Sequence, residues 1–189
     1  MEKYFLLSNL ETTESCNSLI EFVKSYDQWE FYGQGRFTIY MGFPPKDIVR
    51  PITTQFKNPD DLFFKTELNL VKAMGIVPPH TDHHRYVTIN IPLKGDFKNS
   101  YLDLYTPAEG ISASSLNHNS SNYGGGQFYP SANLSKQINY EDPICFDTQE
   151  IHGVTNATFE DRFILTLSFR ENYKFDQVKE MYDNGELLL

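Results

Sequence analysis

From residue 75 onward the chain alternates between apolar and polar positions with a period of two. In "RYVTINIPL", Val87, Ile89 and Ile91 fall on one face, and Tyr86, Thr88 and Asn90 on the other, as successive side chains of a strand do. "RFILTLSF" repeats the pattern, with Phe163, Leu165, Leu167 and Phe169 opposed to Arg162, Ile164, Thr166 and Ser168. The shorter runs "YLDLYTP", "GGQFYP" and "DPICFDT" are bounded by Gly, Pro, Asn and Asp, and also predict strands. The first half reads differently. "TESCNSLIEFVKSYDQW" has apolar side chains at 16, 19, 20, 23 and 26, a helical spacing. Thr13 or Ser15 is its candidate cap, and Asp27 and Gly33 mark its end. "DLFFKTELNLVKAM" fits a helix or a strand leading to Gly75, and "NYKFDQVKEMYDNGELLL" predicts a short terminal helix ending near Asn184-Gly185.

Short strands at close spacing, with helices mainly at the ends, predict a mainly β fold: an antiparallel sandwich or small barrel with flanking helices. Neither a repeat nor a linker interrupts the 189 residues, so residues 1–189 are expected to form one domain. The polar stretch "ISASSLNHNSSNYGGGQ" predicts a long loop of the kind that covers or contacts a substrate.

Composition narrows the function classes. An aromatic content of 15% belongs to a globular chain rather than a disordered one. A net charge of −9 without any Lys/Arg run argues against a nonspecific grip on nucleic-acid phosphates. The start "MEKYFLLSNLETTES" lacks the apolar core of a secretion signal, and charges interrupt every apolar stretch before it could span a membrane. Cys16 and Cys145 are too few for a disulfide framework. A soluble, intracellular, cytoplasmic protein is the expectation.

The chemistry gathers in "VPPHTDHHRYVTINIPL", where His80, His83 and His84 crowd into five positions. In an extended segment His80 and Asp82 point to the same side and can reach one ion. A third ligand must come from elsewhere. His118 sits in the polar loop, whereas His152 ends the strand-like "PICFDTQEIHGV". His80, Asp82 and His152 make a two-histidine, one-carboxylate set of the kind that leaves open positions on Fe(II). An isolated HxD recurs by chance in many sequences; its place just before a strand is what gives it weight. His83, His84 and Arg85 are most simply surface or rim residues that could face a substrate. Arg162 lies ten positions after His152 (162 − 152 = 10), across "GVTNATFED", which reads as strand end, turn and strand start. Such a hairpin would return Arg162 toward the mouth at His152, where its planar donors suit a carboxylate. The competing reading is a surface Arg paired with Glu160 or Asp161.

"PHTDHHRYVTINIPL", "GGGQFYP" and "FDTQEIHGVTNATFEDRFILTLSF" together resemble the Fe(II)/2-oxoglutarate-dependent dioxygenase superfamily, among its prolyl hydroxylase-like or aspartyl/asparaginyl hydroxylase-like members. The resemblance covers about residues 66 to 170. It implies a double-stranded β-helix (jelly-roll, cupin-like) core over that range, an N-terminal helix and strands in 1–65, and a short C-terminal helix in 171–189. It further implies that His80, Asp82 and His152 bind Fe(II) and that Arg162 takes the distal carboxylate of 2-oxoglutarate. Some relatives carry a Ser two residues after that Arg; here the position is Ile164, and Thr166 is the candidate substitute. Thr88 and Asn90, facing inward with Tyr86, are candidates for the other end of the cosubstrate. The implied reaction uses O2 to hydroxylate a C–H bond of a small molecule, free amino acid or peptide residue, releasing succinate and CO2. Asp82 favours hydroxylation over halogenation, because related halogenases have a small residue there.

"HTDHH" also contains half of a metallo-β-lactamase-type zinc motif, but Pro78 stands where its first His belongs and no His follows 152. A cupin-like metal-binding protein without oxygenase activity, such as an isomerase, lyase or binding module, is the remaining alternative, and it would not need Arg162.

Overall fold

The computed structural model describes residues 2–12, 16–32, 39–82, 85–109, 114–115 and 126–189. In chain order these form β1 (Tyr4–Leu6), α1 (Asn17–Ser25), β2 (Glu30–Tyr32), β3 (Ile39–Gly42), α2 (Lys46–Thr53), α3 (Pro59–Leu62), β4 (Phe63–Val71), β5 (Ile76–Asp82) and β6 (Val87–Lys94). There follow β7 (Ser100–Thr106), β8 (Ser114–Ser115), β9 (Gly126–Phe128), β10 (Asn133–Asn139), β11 (Ile144–Asp147), β12 (His152–Asn156), β13 (Arg162–Phe169) and α4 (Phe175–Asp183). The strands make a seven-stranded sheet, β1-β11-β6-β13-β4-β3-β2, and a six-stranded sheet, β10-β7-β12-β5-β9-β8. Neighbouring strands pair antiparallel throughout. The two sheets face each other as the double-stranded β-helix expected from the sequence.

The seven-stranded sheet has two unlike faces. On the outer one, Ile89 and Ile91 of β6 and Leu165, Leu167 and Phe169 of β13 are fully buried against Leu19 and Val23 of α1, Val49 and Ile52 of α2, and Phe175 and Val178 of α4. Each such side chain contributes roughly 1.5–3 kcal/mol. A one-residue slip of β13 would send Arg162, Thr166 and Ser168 into that apolar layer, so the register is strongly specified. Its inner face meets the six-stranded sheet through small apolar clusters, with Leu102, Ile138, Ile144 and Phe146 in one and Val71, Val77 and Val154 in another. Polar side chains, among them Asn69, Thr88, Asn90, Arg162 and Thr166, share that face with Ile164.

Several elements differ from the sequence expectations. Helix α1 starts at Asn17, with Cys16 in the cap position, and ends at Ser25 rather than Asp27. Thr13, Ser15 and Gly33 lie outside the described residues, as do His83, His84, His118 and most of the 111–127 loop. The ambiguous 61–74 segment is the strand β4, entered from the single turn α3. His80, Thr81 and Asp82 precede β6 as expected and themselves close a further strand, β5. Tyr86 does not face inward with Thr88 and Asn90. It precedes β6 and packs on the outer layer, with the Lys174 ammonium 3.4 Å from its ring centroid.

Candidate active site

Strands β5 and β12 are hydrogen-bonded neighbours in which His152 stands opposite His80. Asp82, two residues further along β5, points to the same side, so three ligand-type side chains converge with their ligand atoms within 4.8 Å of one another. Each histidine is fixed from behind. His80 Nδ1 lies 2.8 Å from the Pro78 carbonyl and His152 Nδ1 lies 2.9 Å from the Glu150 carbonyl. A carbonyl can only accept, so each Nδ1 carries the proton and each Nε2 turns its lone pair toward Asp82. The Nε2 atoms stand 3.8 Å from Asp82 Oδ1 and Oδ2 respectively. Burial, and then the neighbouring His80, push the His152 imidazole down to about 3, so it is neutral near pH 7. Burial alone would raise the Asp82 carboxyl, but the Arg85 guanidinium together with His152 and His80 outweighs it and holds the group down at about 2. Lone pairs of a neutral imidazole and an ionised carboxylate converging on one point repel unless a cation lies between them. The donor set therefore fits a divalent metal, and of the borderline type that two imidazoles and one carboxylate select.

The floor below is polar. Asn69 Nδ2 donates to Thr166 Oγ1 and Thr166 Oγ1 donates to Asn90 Oδ1, each at 2.8 Å, which links β4, β13 and β6 side by side. Thr88 Oγ1 donates across to the Leu167 carbonyl at 3.0 Å. Thr88, Asn90 and Thr166 thus face inward, with the two hydroxyls and the Asn90 side-chain carbonyl engaged by protein. Asn69 escaped sequence reading because its strand was ambiguous.

Arg162 is 0% exposed and the largest fully buried side chain among the described residues. The surface pairing with Glu160 or Asp161 is overturned: Asp161 binds Lys72 at 2.8 Å and the Ala73 amide at 3.0 Å. Arg162 Nη1 donates to Ser100 Oγ at 2.9 Å, Nη2 donates to the Tyr140 hydroxyl, and the guanidinium lies over the Phe97 and Tyr140 rings. Its Nε has no partner, and no carboxylate lies within ion-pair distance of it among the described residues. A buried cation without a counter-charge is costly, so this pocket is suited to an anion. Ser100, Phe97 and Tyr140 carry no local sequence signal; only the pairing of distant strands brings them to Arg162.

Arg162 also lies elsewhere than the hairpin argument placed it. On β7, Leu104 pairs with His152 and Ser100 pairs with Asn156 at the far end of β12. From residue 104 to residue 100 is four steps, or about 13 Å of strand. The candidate ligand group and the anion pocket therefore sit near opposite ends of β12.

No protein-family model matches the chain, and no curated protein does. Solved structures match its fold. The epimerase SnoN, in complex with Fe3+, α-ketoglutarate and nogalamycin RO, aligns at a TM-score of 0.61 and 11% identity, over 89% of this chain and 79% of that one. A Trichoplax adhaerens prolyl hydroxylase, in complex with a hypoxia inducible factor peptide fragment, aligns at 0.59 and 10%, over 89% and 84%. HygX from Streptomyces hygroscopicus, with nickel, 2-oxoglutarate and hygromycin B bound, aligns at 0.55 and 9%, over 90% and 84%. The likeness is one of fold, a fold shared by hydroxylases and epimerases alike. Among the described residues no helix is long and apolar enough to cross a membrane.

Proposed function

We propose that this chain is an Fe(II)- and 2-oxoglutarate-dependent oxygenase that hydroxylates a C–H bond of a small molecule, free amino acid or peptide residue. The observation that carries this reading is the pairing of a two-histidine, one-carboxylate group near one end of β12 with a buried guanidinium that lacks a carboxylate partner among the described residues near the other. A metal site alone would fit the cupin-like alternative; the unpaired Arg162 favours a dicarboxylate cosubstrate.

His80, Asp82 and His152 are the proposed iron ligands. Bound there with 2-oxoglutarate and O2, the metal supplies the oxidising chemistry that yields succinate and CO2. The chain's own contribution is placement. Arg162, with Ser100 and Tyr140 beside it, would receive the distal carboxylate through charge-assisted bonds in a site closed to water. The Asn69–Thr166–Asn90 chain and Thr88 would keep the intervening floor fixed while the cosubstrate lies across it. We also infer a soluble intracellular setting, consistent with two free, buried thiols.

The test is succinate release from 2-oxoglutarate with Fe(II), ascorbate and air. Turnover is expected from the wild type, above all with a matched amino acid, peptide or metabolite, and none from Asp82→Ala. Arg162→Met is expected to lose the thermal stabilisation that 2-oxoglutarate gives the metal-loaded protein, which at 100 times Kd is about 2.7 kcal/mol. Full stabilisation of that variant by 2-oxoglutarate would remove Arg162 from its role.

A further inference from the structure

The β5–β6 corner is held from two directions. From below, the β11–β12 turn grips its backbone. Thr148 Oγ1 donates to the Arg85 carbonyl, and Gln149 Nε2 donates to the Asp82 carbonyl at 2.9 Å and to the Arg85 carbonyl at 3.2 Å. The Asp82 amide donates to the Thr148 carbonyl and the Thr148 amide to the Tyr86 carbonyl. From the side, the Arg85 guanidinium bridges two carboxylates. Its Nε donates to Asp82 Oδ2 at 2.8 Å and its Nη1 to Glu67 Oε2 at 3.1 Å. Glu67 is 1% exposed on the inner face of β4, with Lys65 Nζ 2.6 Å from its other oxygen. A charged side chain buried this deeply on the opposite sheet is a fixed anchor, and the Arg85 backbone that reaches toward it is itself immobilised.

We propose that Arg85 is a positioning residue for the metal centre: locked between Glu67 and Asp82, it engages Asp82 Oδ2 and so presents Oδ1 as the carboxylate oxygen for the ion. This rests on the metal reading above. The physical reason is the planar fork. With Nη1 held at Glu67, the rigid guanidinium plane fixes the direction from which Nε–H meets Asp82 Oδ2, which a freely rotating ammonium does not do. Without the bridge the carboxylate is free to rotate, to chelate with both oxygens or to turn from the site. Glu67, with one partner fewer, would then be a second buried anion facing it.

The experiment titrates Co(II) into the wild type, Arg85→Met, Arg85→Lys and Glu67→Gln, following heat and visible absorption, with far-UV circular dichroism to establish folding. Arg85→Met is expected to bind about 10- to 100-fold more weakly, as loss of a group that orients a ligand does. Its Co(II) spectrum is expected to change shape. Arg85→Lys keeps the charge and is expected to leave the altered spectrum uncorrected. Glu67→Gln keeps the shape of the anchor, so it carries the test if Arg85→Met does not fold, and it should shift the spectrum in the same direction. A purely structural ion pair would lower the melting temperature of the metal-free variants while leaving affinity and spectrum at wild-type values, and that result overturns the proposal. Absence of Co(II) binding by the wild type itself would overturn the metal reading as well, so the two failures are distinguishable.

Discussion

The hydrogen bonds behind the two imidazoles decide what those rings can do. With both Nδ1 protons spent on the Pro78 and Glu150 carbonyls, each Nε2 can act only as a ligand or as the site of a second proton. For His152 the second proton is opposed by burial, which brings its pKa to about 3. In the unfolded chain the same group binds a proton near pH 6.5. Protons therefore favour the unfolded state between those values: the stability contribution is complete above about 6.5 and is lost as pH falls toward about 3. Asp82, held to about 2, adds its loss only below the ordinary carboxylate range. Thermal melts of the metal-free protein should fall across the upper window, and His152→Gln should show a flatter profile there. Parallel profiles would exclude this assignment. The convergence of His80, Asp82 and His152 was legible in the sequence because few residue types can ligate a metal and an extended HxD puts both side chains on one side. Glu67, Ser100 and Tyr140 were not, since their importance depends on which strands lie next to which.

Among the elements, β12 is the most constrained. It pairs with β5 on one side and β7 on the other, and its register with β5 shifts between His152 and Val154. Gly153 sits at that shift. A Cβ there would lie 2.6 Å from the Val77 carbonyl oxygen and 3.2 Å from Tyr105 Cε2, so only glycine permits the close approach of the two strands. Gly153→Ala is expected to cost roughly 1–3 kcal/mol in urea denaturation. It should also weaken Co(II) binding, because His152 moves with the strand. An alanine variant matching the wild type in both measurements would contradict this account. Strands β6 and β13 could be read from sequence because one face of each is apolar and packs on helices. Strand β5 could not: Pro78 and Pro79 signal a break, yet they fall where the register shift relieves the ladder of their missing N–H groups. Strand β10 was hidden for another reason, since it is an edge strand exposed along most of its length and has no periodic apolar face.

Across the whole molecule, stabilising and functional layers are separated. The largest apolar cluster lies between the outer face of the seven-stranded sheet and the helices, while the candidate ligands stand on the inner face of the other sheet. Chelation of the metal is therefore expected to leave the far-UV circular dichroism unchanged. It should lower the melting temperature only by the linkage contribution, about 2.7 kcal/mol when free metal had been at 100 times Kd. Collapse of the fold on addition of a chelator would instead mark the ion as structural. That an antiparallel β fold would carry flanking helices was readable from alternating runs, but which helix covers which strand was not, because tertiary pairing leaves no period in the chain. One strand also runs from the candidate ligands to the anion pocket. His152 begins β12, and Asn156 at its other end pairs with Ser100, the residue that accepts from Arg162. Backbone pairing thus fixes the interval between the His152 end of β12 and Ser100, and the Arg162 side chain reaches in from β13 to the Ser100 end. Under the proposed function, β12 would act as a gauge for keto-acid length, setting how far apart the two ends of the acid are held.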